Sequence, residues 1–344
     1  MANYGYLNAR VRGLCTRLVA PGFVDQVLAG GGFEAFTAAL AQTGYGRDLD
    51  VARGGASAEA LSLPAVDRAI GDNFRRTAAS LLGYADGAAE QLVGILLRRY
   101  DVANLKAVAR AFHAGKAGAE RDGAADEVLS ATLPVGQLGP GTLKVMAEAN
   151  DLPAAAQALV VAGHPLADAF RSAVAQYAKA GDLFALELQL DQAHHASVHA
   201  DARAAGAPQN FLDYLALETD ATNLQTALKL RGRSLDAAAC FVAGGASVSR
   251  AQFLQIASAA VGEPLPELRG PFAAARDQQG ALEGWLRSAV ERAARALSAD
   301  PLDIGLVTHF LRAKEREAAI VRLLARGTFY GVPAETLKRE LGHA

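Results

Sequence analysis

Residues 96–116 read LLRRYDVANLKAVARAFHAGK, and residues 215–233 read LALETDATNLQTALKLRGR. Asp101, Asn104, Leu105 and Val108 fall at i, i+3, i+4 and i+7 in the first stretch, and Asp220, Asn223, Leu224 and Ala227 repeat that spacing in the second. Side chains so spaced share one face of an α-helix. A third stretch, residues 311–327, reads LRAKEREAAIVRLLARG. It enters the same register when Arg316 is set against Asp101 and Asp220. Leu96, Leu215 and Leu311 then align, followed by Leu105, Leu224 and Ile320, and by Val108, Ala227 and Leu323. The copies stand about a hundred residues apart, well beyond the roughly 34- to 47-residue period of helical solenoids. The expectation is three similar helical domains, at about 1–116, 117–234 and 235–344.

Helix is expected outside these stretches too. Alanine and leucine dominate and β-branched residues are sparse, a composition that favours helix over strand. Over Tyr6–Val19, one helical stripe joins Tyr6, Ala9, Arg10, Gly13, Leu14 and Arg17, and a neighbouring apolar one joins Leu7, Val11, Leu14 and Leu18. Pro64, Pro165 and Pro301 each precede a long helical pattern, and proline is tolerated in a first helical turn, where the amide has no partner. Gly115, Gly232 and Gly327 each follow one, and glycine closes helices in the left-handed conformation. Glycine-rich breaks at 114–126 and 232–249 fall at the expected boundaries.

The bulk composition narrows the function. There are 34 basic and 36 acidic residues, a formal charge of −2. Phosphate binding needs clustered excess Lys and Arg, so nucleic acid is not expected as a partner. The two cysteines, Cys15 and Cys240, form no CxxC pattern, which fits a reducing cytoplasm. No run reaches the roughly 18 to 20 apolar residues of a spanning helix, so no direct membrane span is expected. The arginines near the N-terminus are not followed by the apolar core of a signal peptide.

No catalytic constellation emerges. Gly115-Lys116 is followed by Ala117, so it does not complete a phosphate-binding loop, and no GxSxG elbow is present. His194, His195 and His199 form a cluster in which His195 and His199 are i, i+4, a spacing that suits zinc. The HExxH glutamate is absent because Ala196 follows His195. Neither cofactor nor metal is expected. Asp101, Asn104, Asp220 and Asn223 are the most informative polar residues. Mid-helix Asp and Asn are poor helix formers, so their recurrence asks for a reason. They either tie down backbone amides or carbonyls of a neighbouring helix or grip a partner. The charged stretch with Glu315, Arg316 and Arg322 reads as a solvated helix face or as the rim of an interface.

Several stretches resemble one family. YGYLNARVRGLCTRLV (4–19), LLRRYDVANLKAVAR (96–110), FLDYLALETDATNLQTALKLRG (211–232) and FLRAKEREAAIVRLLARGTFYGVPAETLKREL (310–341) are similar, in order, to the C subunit of V-type/A-type rotary ATPases, related to the eukaryotic d subunit. The resemblance implies an all-α fold of three similar domains around a pseudo-threefold axis, funnel-shaped. It also implies a non-catalytic rotor part on the cytoplasmic face of the membrane. Such a part joins the D and F proteins of the central stalk to the membrane rotor ring and serves the A/B catalytic head indirectly. Ion flow, of H⁺ or Na⁺, is thereby coupled to ATP synthesis or hydrolysis. Two other readings compete: a helical scaffold that binds proteins without a rotary role, and a zinc-dependent hydrolase using the His194–His199 cluster.

Overall fold

The computed structural model describes residues 4–54, 61–277 and 282–343. Helix follows helix, and no strand occurs among the described residues. In chain order they are α1 (Gly5–Cys15), α2 (Phe23–Gly30), α3 (Gly32–Ala41), α4 (Gly46–Ala52), α5 (Leu63–Tyr84), α6 (Gly87–His113), α7 (Ala124–Ser130), α8 (Pro140–Ala147), α9 (Leu152–Val161), α10 (Ala167–Ala180), α11 (Leu183–Ala204), α12 (Gln209–Leu230), α13 (Arg250–Ser258), α14 (Leu282–Leu297), α15 (Gly305–Phe329) and α16 (Ala334–His343). The three repeated stretches lie on α6, α12 and α15. None of the helices is long and apolar enough to cross a membrane, among the described residues.

Local chemistry sets many of the boundaries. Ser62 caps α5 by accepting from the Ala65 amide, with Pro64 in the first turn. Asp151 and Asp182 cap α9 and α11 in the same way. Each cap satisfies an amide that the helix cannot. Pro165 and Pro301, by contrast, lie in turns just ahead of α10 and α15 rather than inside their first turns. Gly115 and Gly232 follow α6 and α12 with φ of 64° and 71°, the left-handed form. At Gly327 the expectation of a helix end is corrected: this residue lies inside α15, which runs on to Phe329, and Gly331 follows at φ 66°. A Cβ at Gly327 would overlap the Leu337 side chain, so this glycine lets α16 press against α15.

The chain divides into two compact units. One is contiguous, Gly87–Ala293. Its core gathers Leu105, Leu143, Met146, Leu159, Phe170 and Leu190 from α6, α8, α9, α10 and α11. The other joins the two ends of the chain, Met1–Asp86 with Ala294–Ala344. There Val11, Phe36, Leu40, Leu49 and Ile70 are fully buried with Val321 and Leu324 of α15. α15 packs on α1, α3 and α5, so the last long helix completes a core begun by the first residues.

Candidate functional site

α6 and α12 each carry a buried clamp, and what it fastens to the helix is a following loop rather than the neighbouring helix expected from the sequence. On α6, Asn104 donates from Nδ2 to the Leu133 carbonyl at 2.9 Å, and its Oδ1 accepts the Leu133 amide at 2.8 Å. One turn earlier, Asp101 accepts the Gln137 amide at 3.0 Å and the Leu138 amide at 3.1 Å. On α12, Asn223 pairs with Val242 in the same reciprocal way, at 2.8 and 3.0 Å. Asp220 accepts the amides of Ala246, Ser247 and Val248, at 2.9, 2.7 and 3.0 Å. All four side chains are buried. They cost helix propensity, and in return they satisfy loop amides and carbonyls that water does not reach.

Glycine makes the approach possible. Gly136 lies just before the amides held by Asp101, and Gly245 just before those held by Asp220. A Cβ at either position would overlap the carboxylate itself. Each glycine follows its Asn-bound residue, Leu133 or Val242, by the same interval. The clamp is therefore a four-part device: Asp and Asn on the helix, an apolar residue and a glycine on the loop. Helical spacing in the sequence points to the helix half. The loop half shows there only as a glycine-rich break at 232–249, because a loop glycine carries no periodic signal.

A histidine completes the α6 clamp, and two others lie beside the α12 clamp. His164 lies 3.1 Å from Asp101 through Nε2, while its Nδ1 accepts the Leu166 amide at 3.1 Å. Nδ1 is thus occupied as an acceptor, and Nε2 carries the proton donated to the carboxylate. Beside Asp220, His195 and His199 meet the Thr219 hydroxyl at 3.0 and 3.2 Å. That hydroxyl gives its single proton to the Leu215 carbonyl, at 3.0 Å, so both imidazoles donate to it. Burial holds the His195 pKa down at about 4, with the His199 charge adding to the effect. Burial also pushes His194 well down and His199 down. Asp220 moves up through burial, against the pull of its three amides. Gly244, at φ 116°, lies close against the His199 ring, where a Cβ would stand 2.7 Å from Cδ2. Among the described residues, no three His, Cys, Asp or Glu side chains are placed to hold a metal ion.

The third copy is built differently. Arg316 and Ala319 stand where α6 and α12 carry Asp and Asn, and both are exposed. The next residue, Glu317, is buried and accepts the Val19 amide at 2.5 Å and the Tyr45 hydroxyl at 2.8 Å. Lys314 binds Glu317 and Tyr45, with Nζ 4.3 Å above the Tyr45 ring. Burial and then the Glu317 charge push the Tyr45 phenol well up, and burial lowers Lys314. A buried carboxylate again fastens a loop, but the loop is the one after α1. Alignment in register passes over Glu317 because it is displaced by one position. Of the other charged candidates, Glu315 pairs with Arg312 at 2.7 Å, and the half-buried Arg322 makes its charge felt at Tyr45.

An ion-pair ladder adds to the α6 clamp. Arg98 reaches Asp201 at 2.5 Å, Lys106 reaches Asp191 at 2.6 Å, and Arg110 reaches Glu187 at 2.6 Å. The falling partner numbers show that α6 and α11 run antiparallel. Arg99 turns to Glu218 of α12 at 3.3 Å.

Similarity to known proteins runs across nearly the whole chain. The family model for the ATP synthase (C/AC39) subunit matches residues 7–340. The V-type ATP synthase C subunit of Deinococcus radiodurans is 33% identical over 343 residues, covering 98% of this chain and 91% of its own. Its counterpart of the same name in Thermus thermophilus is 35% identical over 352 residues, covering 98% of each. The A-type ATP synthase C subunit of Haloquadratum walsbyi is 27% identical over 289 residues, covering 80% of this chain and 81% of its own.

Proposed function

The chain belongs to the ATP synthase (C/AC39) subunit family, on the V-type/A-type side of the rotary enzymes, and from that premise we propose that it is the coupling piece of the central rotor. In this reading it sits at the cytoplasmic face of the membrane. It receives the foot of the D/F stalk and joins it to the rotor ring, so that ion passage and ATP turnover in the A/B head proceed together. It performs no bond chemistry of its own. The division at 1–116, 117–234 and 235–344 is the unit of repetition in this reading, each repeat contributing one of the register-matched helices α6, α12 and α15.

The observation that carries the reading is the family match over residues 7–340. The clamps fit it physically. A part that transmits torque must not let its loops slide over its helices. Reciprocal Asn-to-backbone pairs and carboxylates bound to two or three amides resist such sliding, because moving them strands buried polar groups at about 1–3 kcal/mol each. The test is to recover the tagged chain from gently solubilised native membranes and identify its companions by mass spectrometry. Recovery of the ring, the D and F proteins and the A and B proteins of the head is expected. Their absence, from membranes that contain them, would sink the rotary role.

A further inference from the structure

The first helix carries a surface that neither the clamps nor the cores use. Residues 1–24 contain Arg10, Arg12 and Arg17 and no Asp, Glu or Lys, in a chain of formal charge −2. α1 buries Leu7, Asn8 and Val11. Its other side leaves Tyr6, Arg10 and Gly13 exposed, at i, i+4 and i+7, with Tyr6 64% exposed, and Arg17 is exposed in the turn that follows the helix. Arg10 lies over the ring of Tyr84 of α5, 4.4 Å from its centre, and donates to the Tyr84 hydroxyl at 3.0 Å. Tyr6 meets the same ring edge-on at 6.4 Å. The hydrogen bond from Arg10, with the Arg17 charge adding, draws the Tyr84 phenol below its usual range. Among the described residues, none of the three arginines has a carboxylate at ion-pair distance.

This face has the chemistry of a docking site for protein carboxylates. A guanidinium stacked on an aromatic ring is already ordered, so little rotamer entropy remains to be lost on binding. Arg10 is exposed, and a guanidinium is a planar fork, the geometry that takes a carboxylate with two bonds. Tyrosine and arginine together are the residues that dominate protein–protein binding energy. Gly13 offers no side chain, and no atom lies within 4 Å of where its Cβ would stand, so a partner backbone can approach between Arg10 and Arg17. A lipid surface fits less well. Lipid-binding patches gather about four to eight Lys and Arg, whereas residues 1–24 hold only Arg10, Arg12 and Arg17, and the rings of Tyr6 and Tyr84 lie against one another.

We propose that the Tyr6–Arg10–Gly13 face of α1, with Arg17 of the following turn and Tyr84 of α5, docks an acidic segment of another protein in the same assembly. Two carboxylates of that segment meet Arg10 and Arg17. The proposal rests on the rotary reading only in taking the partner from that assembly.

The experiment uses the full chain in native membranes, with a photoreactive p-benzoylphenylalanine at position 9, beside the stripe where Ala9 is exposed. Light is expected to give an adduct with an acidic segment of another protein. The Arg10→Glu/Arg17→Glu variant is expected to lose that adduct and to recover roughly tenfold less of that partner, while melting as the wild type does. Tyr84→Phe, which keeps the ring under Arg10, is expected to keep most of the binding. A lipid adduct overturns the proposal in favour of a membrane contact. No adduct from an assembled complex, or full recovery with the double variant, also overturns it and leaves the rotary role standing. If the wild-type chain recovers none of the synthase proteins, the rotary role fails. The adduct at position 9 still decides the surface.

Discussion

Gly245 shows how much a single residue decides. Its backbone is not in the left-handed region, so any L-residue could adopt its conformation. Only space forbids a side chain, because the Asp220 carboxylate occupies the place a Cβ would take. Gly245→Ala must push the loop off the helix or turn the carboxylate away from three amides. Overpacking costs about 1–3 kcal/mol and each stranded amide adds to it, so a loss of about 2–4 kcal/mol is expected by chemical denaturation. Gly136→Ala should behave alike at Asp101. Gly141→Ala, where the space is open, should change stability by less than about 0.5 kcal/mol. Equal effects at all three positions would contradict the clamp.

Protonation gives a second prediction at this scale. His195 has a pKa of about 4 in the fold against about 6.5 in the unfolded chain. A depressed base stabilises the fold above the unfolded value, and that stability is lost as pH falls through the folded one. The window is therefore about pH 6.5 down to about 4, and full loss amounts to about 3 kcal/mol. His194 and His199 shift the same way and add to it. Asp220 acts with the opposite sign: its raised pKa favours the fold once it is protonated, which offsets part of the loss at the acid end. Melting temperature is expected to fall over this window, and less steeply in His195→Gln. A slope unchanged by that substitution would remove His195 as the cause.

Among the elements, the pairing of α6 with α11 separates ion pairs that matter from those that do not. The Arg98 side chain is 5% exposed, and it donates to Asp201 and Ser197. Asp201→Ala leaves a buried cation short of its counter-charge, and a loss of about 2–3 kcal/mol is expected. Arg110 is 60% exposed and its pair with Glu187 is screened by water, so Glu187→Ala should cost less than about 1 kcal/mol. Urea melts of the two variants check the ranking. Legibility in the sequence divides along the same line. Helices announce themselves through spacing, and Asp101, Asn104, Asp220 and Asn223 stand out because helix interiors disfavour them. Their targets do not, since loop amides have no side-chain signature. His164, Thr219 and Tyr45 are hidden as well, because each is joined to its partner only by folding. Gly327 misleads because a glycine needed for close packing looks, in sequence, like one that ends a helix.

For the whole molecule, what matters is that repetition and compactness divide the chain differently. The long helices recur along the sequence as three copies, yet the compact units are 87–293 and the two joined ends. The reason lies in which loop each long helix fastens. α6 and α12 hold loops that follow them, whereas α15 lies near the end of the chain and Glu317 reaches back to Val19. Asn8 makes the complementary tie, donating to the carbonyls of Pro301 and Asp303 at 2.8 and 2.9 Å. Without α15, residues 1–86 lose the apolar face against which α1, α3 and α5 pack. A fragment of residues 87–293 should therefore fold by itself, with native-like helical circular dichroism and a cooperative melt. A fragment of residues 1–86 should not. Rearranging the ends as 294–344, a short flexible linker and then 1–86 should restore cooperative folding, since it returns Glu317 to Val19 and Asn8 to Asp303. If residues 1–86 melt cooperatively alone, that segment is self-sufficient and α15 only decorates it. If the rearranged chain also fails, the two ends need residues 87–293 in order to fold at all.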